Sequence, residues 1–169
     1  MVRGNFLKLF WVFIFGIAFG FLEAAVVIYL RRIFGVDANW QPAGEPEVLV
    51  VLPFIAFLKS SKEIFGDHPV LWVELGREAS TIIMLATLGL AVGMNWRERL
   101  AFFLLPFAFW DISYYIFLRL LTGWPQSLLT LDVLFLLPVP WVAPVIVPVA
   151  ASTIFILISL WLLFRDLNR

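Results

Sequence analysis

The sequence predicts an all-α integral membrane protein of four transmembrane helices, with five as the alternative. It adds one interfacial helix and a proline-rich re-entrant or kinked segment before the last span. Three observations carry that expectation. Hydrophobic residues make up 63% of the 169-residue chain and charged residues 14%, against roughly 45–50% apolar content in soluble domains. Mean hydropathy is +0.99. Several apolar runs approach the roughly 20 residues that carry a helix across a bilayer. No internal repeat or low-complexity linker divides the chain, so residues 1–169 read as a single polytopic domain.

The first span is expected from Phe6 to Leu30. Arg3 and Lys8 precede an apolar run too long for a signal core and without a small-x-small cleavage site, so it reads as a retained helix. Gly16, Gly20 and Ala24 recur every four residues, the spacing that lets membrane helices approach closely. Glu23 shares that packed face and is expected to point into the bundle.

Residues 31–69 form a long connection. Val48–Leu58, interrupted by Pro53, is too short to cross. From Phe54 onward, Phe54, Phe57, Leu58 and Phe65 share one helical face with Lys59, Lys62 and Glu63 opposite, the pattern of a helix lying in the membrane interface. The second span is expected from Val70 to Trp96, its first turns carrying Glu74, Arg77 and Glu78, and its far end Gly89 and Gly93 at packing distance.

Arg97–Arg99 reads as a tight polar turn before a third span from Leu100 to Leu121, kinked by Pro106. Ser127 is expected to cap a short helix through Leu137. Pro138, Pro140, Pro144 and Pro148 follow, at a density suited to a re-entrant or kinked segment. The last span is expected from Trp141 to Phe164. Short basic segments at the termini and at Arg97–Arg99 place the protein in the cell membrane, multi-pass, with both termini cytoplasmic. Trp72, Trp124 and Trp141 are then expected in the outer aromatic belt.

Absences narrow the chemistry. No cysteine is present, which excludes disulfides and thiol nucleophiles, and the lone His68 excludes bis-histidine haem within one chain. The 12 basic and 12 acidic residues balance, so nothing points to nucleic acid. His68 beside Pro69 reads as a loop residue.

Against this background the stretch Phe109-Trp110-Asp111-Ile112-Ser113-Tyr114-Tyr115 stands out, because a carboxylate at membrane depth marks a site by default. At about 1.5 Å per residue, Glu23 lies roughly 10 Å below the outer end of its helix, Glu74 and Glu78 roughly 6 and 12 Å, and Asp111 roughly 15 Å. Four carboxylates on three helices thus fall in one half of the bundle. Arg77, three residues after Glu74, is placed to bridge the Glu74–Glu78 pair. Tyr114 and Tyr115, three and four residues after Asp111, are placed to donate to it.

The expected catalytic set is Glu78, Asp111, Arg77 and Tyr115, with Glu23, Glu74, Tyr114 and Asp132 binding ligand. Glu23, Glu78 and Asp111 form an oxygen-only triad suited to magnesium, manganese or calcium. The corresponding function is binding of a divalent metal, a cation or an anionic, lipid-like ligand, as in a metal-dependent membrane enzyme. The alternatives are a proton- or cation-coupled transporter, and a small subunit or assembly factor of a larger membrane complex. The partners expected are the bilayer and either further copies of the chain or such a complex. An ion-pair network that only fixes helix register is the structural rival.

Overall fold

Four helices long and apolar enough to cross a membrane dominate the chain, joined at one end by a small antiparallel sheet. The computed structural model describes residues 2–33, 47–59 and 70–165, with side chains from residue 6 onward. Chain order is α1 (Val2–Ile33), β1 (Val48–Leu52), β2 (Ile55–Leu58), α2 (Val70–Val92), α3 (Trp96–Thr122), β3 (Leu131–Phe135), β4 (Trp141–Pro144) and α4 (Ile146–Phe164). His68 and the segment from residue 60 to 69 lie outside the described residues.

α3 is the hub. It packs on α1, α2 and α4, while α1 and α2 rest on it far more than on each other. Close approach to α1 comes from Gly16 and Gly20. A Cβ at Gly16 would stand 2.7 Å from the Phe109 Cβ, and one at Gly20 would stand 2.7 Å from the Trp110 carbonyl oxygen. The expected small-residue seam is real, and α3 is its partner. Gly89 and Gly93 do the same against the start of α3, where an added Cβ at Gly89 would meet the Arg99 carbonyl.

Arg97–Arg99 is not a turn but the first turn of α3. The Asn95 side chain accepts from the Arg97 and Glu98 amides at 3.1 Å each, and the Glu98 carboxylate accepts from the Met94 amide at 2.9 Å. These reciprocal bonds satisfy amides that a helix start leaves open. The helix runs on through Pro106 and ends at Gly123, whose φ of 76° lets its N–H close back on the Arg119 carbonyl.

Two expected helices are strands. Val48–Leu52 and Ile55–Leu58 form a hairpin over the two-residue turn Pro53–Phe54, with Leu52 facing Ile55, so the interfacial helix is not present over the described residues 54–58. Val48, Val50 and Val51 favour a pleated backbone, and Pro53 presets the backbone at the first position of the hairpin turn. Likewise Leu131–Phe135 pairs with Trp141–Pro144, with Asp132 opposite Ala143, replacing both the short helix through Leu137 and the first residues expected of the last span. Here Pro138 and Pro140 lie between the strands, and chain reversal wins over helix continuation. β2 joins β4, giving the order β1-β2-β4-β3. That sheet sits against the end where α2 begins and α3 finishes. Among the described residues, four helices are long and apolar enough to cross a membrane.

Candidate functional site: two acid clusters around α3

Burial of acidic side chains is the starting fact. Glu23, Glu74 and Glu78 are each 7% exposed, and carboxylates so placed need partners. Arg77 provides them for two. Its Nε donates to a Glu74 oxygen at 2.8 Å and its Nη2 to the other, a bidentate pair, while Nη1 donates to Glu23 at 2.5 Å. Arg77 therefore bridges Glu74 and Glu23 across two helices rather than Glu74 and Glu78. The solvated position open to Glu74 near the helix end is not taken up.

Glu78 is held differently. Both its oxygens accept from the Leu136 amide just beyond β3, at 2.9 and 3.2 Å. The sheet thus reaches down to α2 through a backbone donor that no side-chain pattern announces. Thr81, one turn further along, donates to the Arg77 carbonyl at 3.1 Å.

Between these groups lies a cavity of about 20 Å³, walled by Glu23, Arg77, Glu78, Thr81, Trp110, Leu134 and Phe135. That volume holds one water-sized group, for which a site needs room of about 10–15 Å³ and two or more polar partners. Trp110 is 6% exposed, and its buried Nε1 has no hydrogen-bond partner. Its ring stacks on Phe19 at 5.6 Å and meets Phe107 edge-on at 5.2 Å, which fixes the indole in place.

Asp111 belongs elsewhere. Consecutive helix residues point about 100° apart, so while Trp110 forms the cavity wall, Asp111 turns to α4 and accepts from the Ser152 hydroxyl at 2.8 Å. Tyr115 donates to Asp132 on β3 at 3.0 Å, not to Asp111, and Arg31 stands 3.9 Å from the other Asp132 oxygen. The Tyr114 and Tyr115 rings meet edge-on at 4.8 Å. Burial pushes the Asp132 carboxyl up to about 6, against the opposing pull of Arg31 and the Tyr115 hydroxyl.

The expected Glu23–Glu78–Asp111 metal triad is therefore not assembled. Among the described residues no three carboxylates or imidazoles come together in a way that would hold a metal ion. Two of its members border the cavity, and the third faces the opposite seam of α3. Trp124 is buried, with the Arg31 guanidinium 3.9 Å from its ring centroid. Arg119 turns back to the Pro125 carbonyl at 2.9 Å.

Residues that sequence reasoning missed are Ser152, Arg31, the orphaned Trp110 N–H and the Leu136 amide. Ser152 had a faint signal, a small polar residue in an otherwise apolar span. Arg31 had only its place at a helix end.

No family model matches the chain, and neither a curated protein nor a solved structure matches it.

Proposed function

We propose that the Arg77 cluster is a proton-binding acid site, set in the outer half of the membrane, that receives a single water or hydroxyl group. The supporting observation is a charge count around a water-sized space. Among the described residues, the three carboxylates of Glu23, Glu74 and Glu78 surround the single Arg77 guanidinium. An uncompensated buried charge is costly, so the excess of negative charge is balanced by what enters, a proton above all.

In chemical terms Glu78, oriented by the Leu136 amide, takes up a proton that enters from solvent and hydrogen-bonds the bound group, and Arg77 holds its place between Glu23 and Glu74. The buried acids of the helices lie toward the sheet-bearing end, whereas Glu98 caps the start of α3 at the other end. Binding from one side is thus better supported than a relay across the membrane. Both termini on the cytoplasmic side would put the sheet and the site at the outer face.

Infrared difference spectra of the purified protein through a pH change test the reading. We expect a carboxyl carbonyl band that Glu78→Gln removes. A spectrum left unchanged by both Glu78→Gln and Glu23→Gln would overturn it.

A further inference from the structure

Among the described residues the acid cavity is walled by three helices and one strand. Glu23 comes from α1, Arg77, Glu78 and Thr81 from α2, and Trp110 from α3, while Leu134 and Phe135 close the space from β3. The helices are knit together by the Gly16–Gly20 seam and by Arg77. β3 is tied to them near its two ends. At its start Asp132 accepts from Tyr115 at 3.0 Å, with Arg31 3.9 Å away. About 13 Å further on, at the rise of a strand, the Leu136 amide donates to the two Glu78 oxygens at 2.9 and 3.2 Å. The cavity wall hangs between those ties, with the Phe135 ring edge-on to Trp110 at 6.2 Å.

The second tie depends on the charge of its acceptor. A backbone amide donates roughly twice as strongly to an ionised carboxylate as to a neutral group. We infer that β3 and the turn into β4 form a lid over the acid cavity, latched by the Glu78 carboxylate and loosened when that carboxylate takes up a proton. The lid pivots on its Asp132 end and lifts at Leu136, carrying Leu134 and Phe135 away from the cavity. The charged groups facing Glu78 are Arg77 and Glu74 on its own helix and Glu23 on α1, whereas α3 and β3 present Trp110, Leu134 and Phe135. Glu23 and Glu74 are each bound to Arg77, and Glu78 gives both oxygens to the lid, so Glu78 is the acid whose proton the lid feels. This inference rests on the proposed acid site and names its regulation: the same proton that fills the site frees its cover.

Hydrogen exchange at the Leu136 amide, followed by NMR on the full chain in phosphatidylcholine nanodiscs and corrected for the intrinsic rate at each pH, tests the latch. Protection there is expected to fall about fivefold between about pH 8 and about pH 5, the order of the difference between a charged and a neutral acceptor. Glu78→Gln, which offers a neutral acceptor throughout, should show the low value at both ends of that range. Asp132→Asn should keep the fall, although the Asp132 carboxyl itself titrates near 6. Protection at Leu136 that is constant with pH, or a fall that survives in Glu78→Gln, overturns the lid. So does a fall that Asp132→Asn abolishes, or a loss spread equally over α2 and α3. If the Glu78-dependent infrared band is present in any of those cases, the acid site stands and only its lid is wrong. If the band is also missing, both readings fall.

Discussion

Two acid clusters flank α3, and they solve the same problem in different ways. On the α1–α2 side, carboxylates are matched by a guanidinium held bidentately, leaving negative charge over and space beside it. On the α4 side, Asp111 and Asp132 are met by hydroxyls from Ser152 and Tyr115, with Arg31 at longer range. Neutral donors cost little desolvation and suit a network that fixes packing. A charged bridge beside unfilled volume suits a site that changes its occupancy. The difference teaches that buried acids in one bundle need not share a purpose.

Substitutions that remove one partner sharpen the contrast. Arg77→Met strands Glu23 and Glu74 together and should cost about 3–5 kcal/mol in unfolding free energy, the range for breaking a buried ion pair. Unfolding in mixed micelles measures it. Next in size is Glu78→Leu, which leaves the Leu136 amide without its carboxylate and should cost about 1–3 kcal/mol. Glu78→Gln keeps an acceptor there and should remain near wild-type stability while losing the carboxyl band. Asp111→Asn retains an acceptor for Ser152 and should fall within about 1 kcal/mol of wild type. An Asp111→Asn loss equal to that of Arg77→Met would erase the distinction between the clusters.

The smallest effect concerns pH. Asp132 is buried enough that its carboxyl titrates near 6 instead of in the usual range for aspartate. Because the folded state holds this proton more tightly than the unfolded chain, stability rises as pH falls through about 6 toward 4 and declines on the way back up. Asp132→Asn should flatten the stability profile across that interval, read by thermal unfolding at a series of pH values.

How much of this the sequence carried depends on which forces were at work. Apolar length alone located the four helices, since a bilayer span is set by burial of every backbone group inside a helix. Gly16, Gly20 and Glu23 were legible because helical periodicity maps sequence onto faces. The sheet was not, because Val48–Leu58 and Leu131–Pro144 are short apolar runs in which strand and helix look alike until a tertiary partner decides. The acid site was half legible: depth grouped the carboxylates, but only packing shows that Trp110 and Asp111, adjacent in sequence, face different neighbours. The Leu136 amide, a main-chain donor, has no side-chain signature to find.

The most direct measurement is a pair of double-mutant cycles on unfolding free energy, one coupling Glu23→Gln to Arg77→Met and the other Asp111→Asn to Arg77→Met. The first should give a coupling of about 1–3 kcal/mol and the second no more than about 0.5 kcal/mol, as for independent sites. A coupling of Asp111 to Arg77 as large as that of Glu23 would mean one shared cluster, and would contradict the division drawn here.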